Sequence, residues 1–131
     1  MNYIVAVVEE RQSCESLNLV SFKADGQDLS MISLALPTEI KEGTKVRLGV
    51  KSTNIALAKN LSGELSFSNQ LKIKIKSLHF GELLCSVKFE FSGEIQESVI
   101  TKASVLRMNI QVEDELVALI KSSDLSIVEV L

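Results

Sequence analysis

Two stretches of the chain, LGVKSTNIAL at residues 48–57 and ALIKSSDLSI at residues 118–127, interrupt an apolar alternation in the same way. Each inserts one Lys followed by small hydroxyl or amide residues, and the two lie 118 − 48 = 70 positions apart. Ser and Thr hydroxyls rotate to donate hydrogen bonds, backbone N–H groups at turns form anion nests, and one ammonium adds a point charge. Such a set suits an anion that carries no proton of its own. A single Lys-Ser pair is ordinarily a solvated strand end; written twice at a fixed spacing, it becomes a candidate site.

The elements around these inserts alternate with period two. LKIKIK (71–76) sets Leu71, Ile73 and Ile75 on one face and Lys72, Lys74 and Lys76 on the other. LLCSVKFEF (83–91) turns Leu83, Cys85, Val87, Phe89 and Phe91 inward, with Leu84, Ser86, Lys88 and Glu90 outward. NLVSFKA, TKVRLGVKS, ELVALIKSS and DLSIVEV read the same way. Short alternating runs separated by Gly, Asp or Asn predict strands, and hence an all-β barrel or sandwich. The best helical candidate is one short turn at SVLRMN (104–109), with PTEI (37–40) a weaker one.

Laid over one another, the halves match. VKSTNIAL (50–57) agrees with IKSSDLSI (120–127) by residue class, and Ile40 falls on Ile110 and Val46 on Leu116 at the same offset. Further back, Gly26 and Leu29 fall near Gly93 and Ile95 at an offset of about 66 to 67, so the second half carries roughly four extra residues around TKAS (101–104). The expected organisation is a first, degenerate repeat over residues 1–62 and a second over residues 63–131. KNLSGE (59–64) is the junction, and Gly63 supplies its turn. Each half lies near the lower size limit for independent stability, which points to a homo-oligomer.

Composition narrows the function further. Of 131 residues 46% are hydrophobic, enough for a packed core, and the net charge is −3. Residues 1–62 carry seven basic and seven acidic groups; residues 63–131 carry seven basic and ten acidic, so an anion site there must rely on locally aimed donors. The acidic balance and only six aromatics argue against an oligonucleotide binder, which needs stacking platforms. The row Lys72, Lys74, Lys76 reads as a charged edge that blocks sheet-to-sheet pairing. Two cysteines are too few for a disulfide framework: Cys85 reads as core and Cys14 as a loop thiol. The start MNYIVAVVEE has no basic region before its apolar run, and no apolar stretch is long enough to span a bilayer, so a cytoplasmic protein without a membrane partner is expected. His79, the single histidine, reads as a surface residue. EDE (113–115) and the Glu9–Glu10 pair are runs at turns, without the split pairing that acid–base catalysis needs. No enzyme and no metal site is expected.

With the repeat drawn, residues 66–127 resemble the molybdenum-pterin-binding, or TOBE, family of Mop domains. SFSNQLKIKIKSL (66–78) is similar to the family's opening Ser-Ala-Arg-Asn, one residue, Leu and a strand. GELLCSVKFEF (81–91) fits its Gly and alternating strand, VITKAS (99–104) its Ile-Thr, two residues, Ser, and ALIKSSDLSI its Ile-Lys-Ala-Ser ending. The first half resembles the family only through LGVKSTNIAL. The resemblance implies tandem OB-like five-stranded β-barrels, a di-Mop unit. It also implies non-covalent binding of molybdate or tungstate, with no organic cofactor, at contacts between lobes or subunits of a dimer or trimer.

Carried over by position, the family's site falls on Ser66, Thr101, Ser104, Lys121 and Ser122. Ser68 stands where the family has Arg, and Lys51 and Ser52 are the first-repeat copies. None of Ser66, Thr101, Ser104, Lys121 and Ser122 is expected beside an acid. Losing the guanidinium at Ser68 removes a fork of donors and a charge. The other expectation compatible with this pattern is an adaptor that binds no oxyanion and docks on a transporter or regulator through a sheet edge.

Overall fold

A computed structural model describes residues 1–131. The alternating segments form strands β1 (Asn2–Cys14), β2 (Leu17–Ala24), β3 (Gln27–Leu34), β4 (Lys45–Val50), β5 (Ala56–Ala58), β6 (Asn69–Phe80), β7 (Leu84–Phe91), β8 (Glu94–Thr101), β9 (Glu115–Ile120) and β10 (Ser126–Val130). One helix, α1 (Lys102–Met108), follows β8, and a short 3₁₀ turn follows each of β4 and β9, at Ser52–Asn54 and Ser122–Asp124.

The strands make two five-stranded sheets, ordered β10-β4-β1-β2-β3 and β5-β9-β6-β7-β8. Each sheet is completed by a strand from the other half of the sequence. The chain leaves the first sheet after β4, passes through Ser52–Asn54 and joins the second as β5; it leaves the second after β9, passes through Ser122–Asp124 and joins the first as β10. This is why the interruption is written twice: both copies mark a crossing between sheets. A boundary at residue 62 therefore does not separate two self-contained units, because each side of it donates its neighbour's fifth strand. Gly49 leaves room for β10, since a Cβ there would lie 2.8 Å from Val128 Cγ1.

Local chemistry accounts for the remaining differences between the lobes. Asp25–Gly26 and Ser92–Gly93, 67 residues apart, all have positive φ, as the tight two-residue turn of a hairpin requires. The offset is 67 up to β3 and β8 and 70 from β4 and β9 onward, so the second half carries three extra residues and not four. These residues build α1, which is capped by Thr101 at its start and by Asn109 at φ 50° at its end. The first lobe has no helix there, and PTEI stays a turn. The Arg11 guanidinium instead donates to the carbonyls of Leu36 (3.0 Å), Pro37 (2.6 Å) and Ile40 (3.1 Å), which satisfies the backbone without a helix.

The inward faces of both sheets merge into one apolar core, with Phe22, Leu48, Ile75, Phe89 and Ile120 fully buried and Cys85 among them. Three expectations are corrected. Leu83 lies before β7 and is 80% exposed. Cys14 is exposed as expected, but it ends β1 instead of lying in a loop. The Lys72–Lys76 row is not on an edge, because β6 is paired on both sides by β9 and β7; its lysines face an open groove shared with Glu90 and Glu115.

Candidate functional site

The two crossing turns have the same conformation. Lys51 (φ −70°, ψ 140°) and Lys121 (φ −69°, ψ 145°) are extended, and each carbonyl accepts the N–H three residues on, from Asn54 and Asp124 respectively, at 2.9 Å. Small polar residues suit so tight a turn, where side chains three apart eclipse. The turn also folds Asp124 back toward Lys121.

Each turn rests on the opposite lobe: the first against β8, the second against β3. Two buried asparagines clamp these contacts. Asn69, 0% exposed, accepts the Ser30 N–H (2.7 Å) and donates to the carbonyls of Ser30 (3.0 Å) and Ile120 (3.0 Å). Asn2, 5% exposed, accepts the Glu97 N–H (2.7 Å) and donates to the Glu97 carbonyl (2.8 Å).

Between the turns runs an open groove of about 390 Å³, lined by Thr53, Asn54, Lys121, Ser123 and Asp124 with the apolar Ile55, Phe67, Val99 and Ile100. Donors from both turns thus face one space, with one ammonium and one carboxylate among them.

The sequence-derived residues distribute around this groove unevenly. Lys121 lines it. Ser122 turns the other way and its hydroxyl donates to Ser30 Oγ at 3.3 Å. Lys51 is exposed and lies outside the groove, while Ser52 meets Asn2 Nδ2 at 3.5 Å and the Glu97 carboxylate. Ser66 and Ser68 are exposed on either side of the groove residue Phe67. Thr101 and Ser104 are taken up by the cap of α1: Thr101 Oγ1 accepts the Ser104 N–H (3.1 Å) and donates to Ser104 Oγ (2.8 Å), which also accepts from Arg107 (3.3 Å). No hydrogen bond within the chain joins Thr101 or Ser104 to either turn. The expectation that Lys121 lies away from acids is corrected by Asp124, which the turn returns to the same groove, and a strand of the opposite lobe brings Glu97 to Ser52.

Sequence reasoning missed Asn2, Asn69, Ser30 and Glu97. A signal existed for the asparagines: each opens a long alternating strand, NYIVAVV and NQLKIKIK, 67 positions apart.

The Ser86 hydroxyl, and after it that of Ser52, donates to the Glu97 carboxylate and holds it below the usual carboxylate range; burial opposes the shift, and Lys88 and the N-terminal ammonium add to it. A lowered folded-state pKa contributes stability that is fully present above the unfolded value of about 4.3 and lost as pH falls through the folded one. Glu97→Gln should therefore flatten that part of the acid limb, so that the two stability curves, apart at neutral pH, converge in acid. Urea titrations at a series of pH values measure this; parallel curves would contradict it.

No model of a known protein family matches the chain, and no curated protein matches it by sequence. One crystal structure aligns over 96% of this chain and 94% of its own, with a TM-score of 0.89 and 20% sequence identity. The chain shares its fold with the cytoplasmic molybdate-binding protein ModG. The ModG structure is a PEG-grown crystal form with molybdate bound. The likeness to ModG bears out the all-β, tandem OB-like architecture; at this identity it is a likeness of fold. No helix is long and apolar enough to cross a membrane.

Proposed function

We propose that this chain binds molybdate or tungstate non-covalently at the boundary between its lobes, around the Lys121–Asp124 turn, and serves cytoplasmic storage, homeostasis or delivery. One observation carries the reading: strand exchange brings the two crossing turns to one groove, Thr53 and Asn54 from the first and Lys121, Ser123 and Asp124 from the second, in a fold that molybdate-bound ModG shares. A tetrahedral dianion offers only acceptors, and Lys121, Ser123, Thr53 and Asn54 supply donors and a charge there. The protein assembles as a homo-oligomer, a dimer or a trimer. Ser66, Ser68, Thr101 and Ser104 stand off the turn within one chain, so a second copy would bring such donors to it. Exposed apolar cross-strand pairs, Leu17 with Leu34 and Leu19 with Ile32, give the copies a surface to bury.

Titration calorimetry with molybdate, tungstate and sulfate tests this. The expected result is heat with the first two that sulfate does not compete away, together with a native mass above that of one chain. Absence of heat with any oxyanion favours the second reading, an adaptor without a ligand that docks on a molybdate transporter or regulator. Asp124 in the groove and Glu97 at Ser52 are the observations on that side.

A further inference from the structure

The two turns meet the opposite lobe in matching ways, and one residue breaks the match. Asn2 clamps Glu97 by the backbone as Asn69 clamps Ser30, and 97 − 30 = 67 is also the spacing of the two asparagines. Ser30 and Glu97 thus hold one position in the repeated frame, yet they present opposite chemistry to the turns. Ser122 donates to the Ser30 hydroxyl, a neutral partner that brings no charge to the turn. Ser86 gives its proton to the Glu97 carboxylate, which has none to pass on, and Ser52 lies beside that carboxylate. Lys88, paired with Glu97 in register, balances its charge. Beside the second turn the carboxylates are placed differently. Glu10 lies two strands from Ser30, beyond Ser21, and accepts from Gln12 at 3.1 Å; Asp124 sits on the groove side of its own turn and engages no side chain.

Resting on the oxyanion reading above, we propose that Glu97 decides where this chain takes its ligand. Its carboxylate fills the first junction as an internal anion, and only the Lys121–Asp124 turn beside Ser30 is left open. A dianion brought to Ser52 would meet a fixed carboxylate that already holds the Ser86 hydroxyl.

Exchanging the two residues tests this. Glu97→Ser copies Ser30 into the first junction, and Ser30→Glu copies Glu97 into the second. Calorimetry with molybdate on the full chain, with thermal melting to verify folding, should show Glu97→Ser gaining one anion per chain over the wild type and Ser30→Glu losing one. Glu97→Gln keeps the side chain's shape if the serine variant melts early, and it too should gain a weaker site. Wild-type binding with unchanged stoichiometry in both Glu97 variants overturns the proposal and leaves the oxyanion reading intact. A silent wild type beside a Glu97→Ser variant that takes up one anion supports the role of Glu97 and overturns the functional reading.

Discussion

Replacing Asn69 with Ala is expected to destabilise the fold by about 2–5 kcal/mol, since one buried and two part-buried backbone groups each lose a partner worth roughly 1–3 kcal/mol when left unsatisfied. Those groups are the N–H and carbonyl of Ser30 and the carbonyl of Ile120. They belong to β3 of one lobe and β9 of the other, so the loss falls on the contact between lobes. Asn69→Asp should do at least as much harm, because a carboxylate would aim an acceptor at carbonyls that need a donor. Asn2→Ala removes fewer strong bonds and should cost less. Denaturant midpoints report these changes, and a loss under about 1 kcal/mol for Asn69→Ala would show that water enters and re-satisfies the clamp.

Oxyanion affinity should respond in opposite directions to the two charged residues of the second turn. Lys121→Ala removes the one ammonium lining the groove. A charge-assisted bond is worth about 1.5–3 kcal/mol, so molybdate binding should weaken by roughly 10- to 100-fold. Asp124→Asn copies the first turn's Asn54 and removes the carboxylate from the groove, which should tighten binding several-fold. The pair of results matters more than either alone. Were Lys121→Ala silent while Asp124→Asn tightened binding, the ligand would be held by neutral donors; were both silent, it would sit elsewhere.

The alternating strands were legible from sequence because one face of each is buried, and a period of two survives any reading frame. The repeat was legible because the crossing turns need the same small residues twice. What escaped was the destination of each turn: an alternation tells which face a residue takes, not which sheet its strand joins. The misplaced acids have the same origin. Glu97 lies 45 positions from Ser52 along the chain and reaches it only because the turn crosses to the opposite lobe. Sequence alone reads Thr101 and Ser104 as ligand groups. The cap is what their hydroxyls do within one chain.

Gly49 meets Ser126, and Val46 meets Val130. The N-terminal sheet therefore stays open along β4 until residues 126–130 have been synthesised. A nascent chain emerging in order presents that bare edge throughout translation, with β5 equally stranded until β9 appears. Contacts so distant in sequence form slowly. An unpaired edge held that long is open to the same strand from a neighbouring chain. Strand β10, residues 126–130, thus governs whether newly made molecules close on themselves or on one another.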